Sequence, residues 1–428
     1  MGMAVIDTKP SAVGNYLARL PFYYGWVNVL VAALAMTATL PGRTHGLGLI
    51  TKPLLSDLKI SDVWYSELNF LAILIGAAFC LPVGRLIDRL GTRVVLTGVA
   101  CALGVVVILM SRVEDDVTLF ITLTLVRGLG QGALSVVSLA IVGKWFTRRL
   151  GLAMGVFAVL LTFGFIGSIL GLRAVVEEYH WRTAWSGTGW LLLLGLAPIG
   201  WLLVRKTPEA CGLAPDREAS SDQPPGRGTE GVSLGQALRS PSFWIFSLAT
   251  SLFNLLWSAI TLFNEKILNE QGFGDKTFDL VMALLAGSGL ISNLLAGWLA
   301  TRWSMGRLLG LGMILLAGSL VAFPLIDSQV HVILYALVLG ASGGIITVVF
   351  FAIYGHTFGR AHLGHIQGAA QLLSVIASAL GPVILTLSRD GTGSYDLFFY
   401  GLAPVAGVLG LCAWKVRPFR PVPAVSTT

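Results

Sequence analysis

Apolar residues run along this chain in stretches of about 17 to 29 positions separated by short polar turns. They lie at 22–50, 68–84, 94–111, 117–142, 150–173 and 183–204, then at 241–264, 280–300, 308–325, 331–354, 364–388 and 397–414. Each is near the ~20 residues that carry an α-helix across a hydrocarbon core of ~30 Å. A membrane barrel would instead show weak alternation in segments of ~10 residues. The pattern predicts an all-α integral membrane protein with twelve transmembrane helices in two six-helix halves, 22–204 and 241–414. Residues 1–21 have no apolar core of their own and are expected to be an N-terminal cytoplasmic segment, not a cleavable signal. Residues 205–240, with Pro224, Pro225 and Gly226, read as a polar linker, and 415–428 as a tail.

Composition agrees with this layout, since 55% hydrophobic and 12% charged residues over 428 positions leave too little polar surface for a water-soluble fold. The placement of charge then orients it. Loops on the side of the termini carry 19 Lys/Arg and 7 Asp/Glu, the opposite loops 7 and 15, and the apolar runs three arginines and no acid. Positive loops stay in the cytoplasm. Both termini are therefore expected there, in a multi-pass protein of a bacterial inner membrane. The net charge of +7 is an orientation signal and gives no reason to expect nucleic acid as a partner. Cys80, Cys101 and Cys412 fall in apolar runs and Cys211 in the linker, none at metal-ligand spacing, so no metal or cofactor is expected.

The two halves repeat one another. LVRGLGQGALSVV from Leu125 lies over LVLGASGGIITVV from Leu337, and GKWFTRRLGLAMG from Gly143 over GHTFGRAHLGHIQG from Gly355, pairing Arg148 with Arg360. GRLIDRLGTR at 84–93 pairs at nearly the same offset of about 212 with GWLATRW from Gly297, with Thr301 standing where the first copy has Asp88. Halves repeated in this way place a substrate site near the midplane between them and allow alternating access by rocking. Gly128 with Gly132, and Gly167 with Gly171, are four apart and predict two smooth faces for close helix packing.

The loop at 84–93 resembles the signature between the second and third helices of the major facilitator superfamily, with Gly84, Asp88, Arg89, Gly91 and Arg93 matching. FYYGWVNV (22–29), KWFTRRLGLAMG (144–155) and LRSPSFW (238–244) resemble its monocarboxylate and oxalate/formate branch. That resemblance implies small organic anions as substrates, often moved with a proton. It also implies a conformational gating role for Gly84, Asp88, Arg89, Gly91, Arg93 and Arg148. The chain departs from the branch in the eighth span, where Asn293 replaces the usual arginine four residues before Gly297. It departs from drug/proton antiporters in the fifth, where 163–171 contains no proline.

A charge within a span costs at least ~2.5 kcal/mol on insertion scales, which makes such residues functional candidates. Arg43 sits in LPGRTHG, where Pro41 and Gly42 loosen the helix, and the resemblance implies a basic residue near this point. Arg127 lies at mid-depth in the fourth span. Arg173, beside Glu177 and Glu178, reads as an interfacial anchor. Two cations without internal acids favour an anionic substrate, because an arginine fork binds a carboxylate with two hydrogen bonds. His45, Asn69, Asn254, Trp257, Asn293 and Gln371 are the polar residues expected to complete the pocket. His356, His362 and His365 read as a solvated loop, not as a metal site.

The expected activity is secondary active transport of a small organic anion, a carboxylate, with a coupled proton riding on the substrate, His45, Glu67 or Glu265. A monomer in the bilayer is expected. A drug or neutral-metabolite carrier of the same fold is the alternative, and a non-transporting sensor the weaker one. An enzyme is not expected, as no span gathers a nucleophile, a base and an orienting acid. Replacing Arg43 or Arg127 with Gln is expected to lower carboxylate affinity about tenfold to a hundredfold, from loss of a charge-assisted contact of ~1.5–3 kcal/mol. Equilibrium binding of a carboxylate panel measures this.

Overall fold

The computed structural model describes residues 21–217 and 231–416. The N-terminal segment before Pro21, the linker residues Pro224, Pro225 and Gly226, and the tail after Val416 lie outside the described residues. Among the described residues the regular structure is helical. Eleven helices are long and apolar enough to cross a membrane: Asp62–Leu90, Thr92–Met110, Asp116–Trp145, Leu150–Glu178, Trp181–Leu203, Pro241–Glu270, Lys276–Leu299, Met305–Leu325, Gln329–Phe358, Leu363–Thr392 and Asp396–Lys415. They match the expected second to twelfth spans.

The expected first span, 22–50, is not one helix. An α-helix runs over Gly25–Thr37, a 3-10 turn over Leu40–Gly42, and a second α-helix over Thr44–Leu58. Pro41 causes the break: it has no N–H, and in a continuous helix its ring would collide with the carbonyl of Thr37, the residue at which the first helix stops. Pro82 acts in the same way on the second span, which is interrupted between Ala77 and Cys80.

Several helices outrun the apolar stretches that predicted them. Thirty residues at 1.5 Å each reach ~45 Å, against a hydrocarbon core of ~30 Å. Their ends therefore take in acids that the apolar cores lack, including Glu67 in the second helix and Glu265 and Glu270 in the seventh. Polar caps mark several starts: Ser61 accepts from Trp64 N at 3.3 Å, Asp115 from Thr118 N at 2.9 Å and Ser328 from His331 N at 3.4 Å. The fourth and tenth spans are central, with 83% and 72% of their apolar windows buried, whereas the fifth and sixth bury 28%.

Helices before residue 205 meet those after residue 240 along two seams, both near the end that carries Asp88. In one, the second span touches the eleventh: a Cβ on Gly84 would lie 2.4 Å from Gly364 O, and one on Gly368 would lie 2.5 Å from Cys80 O. In the other, the fifth span touches the eighth, where a Cβ on Gly155 would lie 3.0 Å from both Gly297 Cα and Asn293 O. The seams are copies of one contact. The same 213-residue spacing separates Gly84 from Gly297, Cys80 from Asn293, Gly151 from Gly364 and Gly155 from Gly368.

The opposite end is looser. A cleft of about 490 Å³ lined by Asp62, Glu67, Phe70 and Val383 parts the second span from the eleventh there. Of the two glycine pairs read as packing faces, Gly128 and Gly132 do pack, against Phe79 and Cys80 Sγ at 2.8 and 3.2 Å from an added Cβ. Gly167 and Gly171 do not: nothing lies within 4 Å of a Cβ at either position.

A β-branched side chain at Gly368 cannot fit while the seam is shut. In a variant keeping Cys80 as the sole cysteine, Gly368→Val is expected to make this fully buried thiol react with a maleimide at least tenfold faster than in the Gly368 parent. Equal protection in both would show that the glycine seam does not keep this end closed.

Candidate functional site

Arg127 opens a wide, π-helical stretch, Arg127–Leu134, with the sequence RGLGQGAL. Its glycines let the broken first span approach: a Cβ on Gly42 would meet Val126 O at 2.4 Å and Gly130 Cα at 2.9 Å. The contact brings the loosened backbone to the arginine. Arg127 Nη1 donates to Gly42 O at 3.2 Å, Thr44 Oγ1 at 3.3 Å and Gln131 Oε1 at 3.2 Å. Nε and Nη2 both donate to Asn69 Oδ1, at 3.1 and 2.7 Å. The side chain is 2% exposed and every one of its nitrogens is bonded to a neutral acceptor.

Arg43 follows the break, in extended conformation, as the residue before Thr44–Leu58. Its Nε donates to Thr39 Oγ1 at 2.6 Å, and its Nη2 contacts Ser135 Oγ at 3.2 Å and Met36 Sδ at 3.3 Å. The guanidinium lies 5.3 Å from the centre of the Phe165 ring. Arg43 is half-buried, and its neighbours Thr44 and His45 are exposed. Among the described residues Nη1 has no hydrogen-bond partner, and neither arginine has an acidic one. The two cations therefore differ: Arg127 is saturated, while Arg43 keeps a donor free.

Of the other predicted pocket residues, the structure joins Asn69 to Arg127 and sets His45 next to the break. Asn254 bonds its own helix, Nδ2 to Thr250 O at 2.9 Å, and Trp257 rests on Phe253 at 5.7 Å between ring centres. Asn293 is buried with Oδ1 unpartnered, and Gln371 is buried. None of these four makes a hydrogen bond to the arginine cluster among the described residues. Sequence reasoning missed Thr39, Thr44, Gln131 and Ser135. Their signal was present: each is a polar residue within one helical turn of an arginine or across the glycine contact.

Of the predicted gating residues, Gly84 and Asp88 sit on the seam. Asp88 Oδ1 accepts from Lys144 Nζ at 3.0 Å and from Gly364 N at 3.1 Å, and Oδ2 accepts from His365 N at 3.0 Å. A carboxylate from the second span thus caps the first turn of the eleventh, where free N–H groups and the helix dipole favour negative charge. Gly84 packs on Gly364, and Gly91, at φ +89, makes the turn to the third span. Arg93 donates to Trp201 O at 2.6 Å and stacks on its ring, and Arg89 is exposed. Arg148 N donates to Asp216 Oδ2 at 2.7 Å, tying the loop after the fourth span to the linker. Arg360 bridges the two sets of helices, donating to Lys144 O and to Glu209 Oε1, both at 2.7 Å. Of the three histidines expected on a loop, His356 lies instead in the last turn of the tenth span and is exposed, while His362 and His365 lie beside Asp88. Arg173 pairs with Glu177 at 2.7 Å on the exposed surface, as an anchor would.

The chain's relatives include several monocarboxylate transporters. Among them, monocarboxylate transporter 11 of Mus musculus is 28% identical over 401 residues, a match covering 88% of this chain and 83% of that one. An MFS-type efflux pump of Mycolicibacterium smegmatis is 25% identical over 325 residues, covering 73% and 72%. In fold, the chain is similar to the crystal structure of FucP, a major facilitator transporter in the outward conformation, with a TM-score of 0.67 at 12% identity over 92% of this chain and 100% of that one. The family model of the Major Facilitator Superfamily matches residues 26–382. With the apolar helices, the paired seams and the Asp88 cap already in view, that match settles the family: the chain belongs to the major facilitator superfamily and is a membrane transporter, not an enzyme.

Proposed function

We propose that this transporter carries a small organic anion, a carboxylate, by alternating access between two six-helix halves, 22–204 and 241–414. The observation that carries the reading is the free donor on Arg43. A half-buried guanidinium beside an exposed stretch, without an acidic partner, is neutralised by whatever anion enters. A carboxylate completes the fork. Arg127 holds the backbone of the break in place and adds positive potential without offering a free donor. His45 and Asn69 lie beside this cluster, and in this reading Asn254, Trp257, Asn293 and Gln371 are the polar residues that would complete the pocket from the second half. The names of the monocarboxylate relatives support the same substrate class.

The Asp88 end faces the cytoplasm, together with both termini, because it bears the excess of Lys and Arg. The seams then close the cytoplasmic side, and the cleft opens outward, in a bacterial inner membrane. A coupled proton travels on the substrate, on His45, or on Glu67 or Glu265 at the helix ends. The efflux pump among the relatives favours export as a second reading, and a drug or neutral metabolite is the alternative substrate class. The two readings differ in what Arg43 is for.

Three sites give distinct expected outcomes. Arg43→Gln lowers carboxylate affinity about tenfold to a hundredfold, Arg43→Lys recovers part of it, and an amide isostere binds poorly to parent and variant alike. Arg127→Gln instead loosens the first span, lowering thermal stability as well as affinity. Measured by binding in detergent and by uptake into proteoliposomes, parent-like carboxylate binding and transport in a folded Arg43→Gln variant would exclude the anion reading. Asp88→Asn, which weakens the cap on the eleventh span, is expected to cut transport while binding survives. Loss of binding in a well-folded Asp88→Asn protein would remove Asp88 from the gate.

A further inference from the structure

The sequence offers His356, His362 and His365 as a histidine cluster, and the structure replaces one member. His356 lies apart, on the last turn of the tenth span. Asp88 takes its place: one ligand atom each from Asp88, His362 and His365 lie within 4.8 Å of one another. The carboxylate comes from the second span, the imidazoles from the start of the eleventh, so the trio straddles a seam between the two sets of helices. His362 is exposed and His365 half-buried, which leaves the group open to water from the Asp88 end.

We propose that Asp88, His362 and His365 form a binding site for a late first-row transition-metal dication, with zinc the best-fitting member, and that the bound ion clamps this end shut. Two imidazoles and one carboxylate suit zinc, cobalt or nickel, whereas magnesium and calcium require oxygen shells. Three protein ligands leave a fourth position for water. The His365 ring has a defined role. Its Nε2 accepts from Arg85 Nε at 3.2 Å, so the ring proton sits on Nδ1, which lies 3.5 Å from Asp88 Oδ2. Metal on Nδ1 takes that proton's place, the proton moves to Nε2, and Arg85 must turn away. Asp88 Oδ2 keeps a lone pair beyond the His365 amide, while Oδ1 retains Lys144 and Gly364.

Lys144, Arg85 and Arg89 surround the carboxylate and oppose a second cation. This sets the affinity well below that of closed four-ligand structural zinc sites. It also makes the site dependent on the seam: when the second and eleventh spans separate, the carboxylate leaves and only two imidazoles remain. An ion that binds the closed arrangement more tightly than the open one shifts the population toward it. Transition-metal ions of this class would thus act as brakes on turnover, whatever the substrate is.

The test uses full-length protein purified without a polyhistidine tag and with its four cysteines replaced by serine, titrated with zinc chloride by calorimetry. One ion per chain is expected, with no heat from magnesium chloride. His362→Ala, His365→Ala and Asp88→Asn should each weaken binding at least tenfold, and zinc should raise the melting temperature of the parent but not of the His362→Ala/His365→Ala protein. Unchanged zinc binding in the double-histidine variant, or none in the parent, would overturn the site. Loss in the histidine variants with none in a folded Asp88→Asn protein would overturn the clamp, leaving a histidine pair confined to one helix start.

Discussion

A membrane interior supplies no water to satisfy a backbone group released from its helix, and this constraint organises the centre of the molecule. Pro41 stops the helix Gly25–Thr37 and frees the turn that follows. Arg127 is the group that answers it, with Nη1 on Gly42 O and Thr44 Oγ1. The exchange is mutual. A buried guanidinium with no carboxylate nearby needs neutral acceptors for all its N–H groups, and the broken span provides two of them. Each supplies partners the other needs, and Arg43 follows directly from the break they share.

The seams answer a second consequence of lipid, that apolar side chains gain nothing by leaving it for one another. Helices then stay together through close contact and a few polar ties. Glycines at 84, 155, 297, 364 and 368 allow backbone-to-backbone approach that any side chain would block. Onto this the second–eleventh pair adds the Asp88 cap, Lys144 and the Arg360 bridge to Lys144 O. Closure here is made of short polar contacts laid over a steric fit, and contacts of that kind break cleanly when the surfaces part.

Much of this was legible in the chain. Hydrophobic run length gave eleven spans to within a few residues, since crossing hydrocarbon imposes one length on all of them. Charge in spans singled out Arg43 and Arg127, while the seam glycines lay inside the repeated stretches without being read as contacts. What the sequence did not reveal was how the two arginines divide their work. That depends on which acceptors lie within about 3 Å, and Thr39, Thr44, Gln131 and Ser135 look like ordinary polar residues until the helices are placed. The outer ends of the helices were also hidden, because polar turns beyond the bilayer carry no apolar signal. Gly167 and Gly171 show the converse failure: a spacing that suits packing does not supply a neighbour.

The two seams are alike in their glycines and unlike in their polar chemistry. Where the second span presents Asp88 to the start of the eleventh, the eighth presents Thr301, whose hydroxyl turns back to Trp298 O on its own helix at 2.7 Å. The second–eleventh side thus adds the Asp88 cap to its steric fit. The start of the eleventh span is held to the opposite set by charge as well as by shape, so the likeness of the two halves in sequence does not extend to what fastens them together.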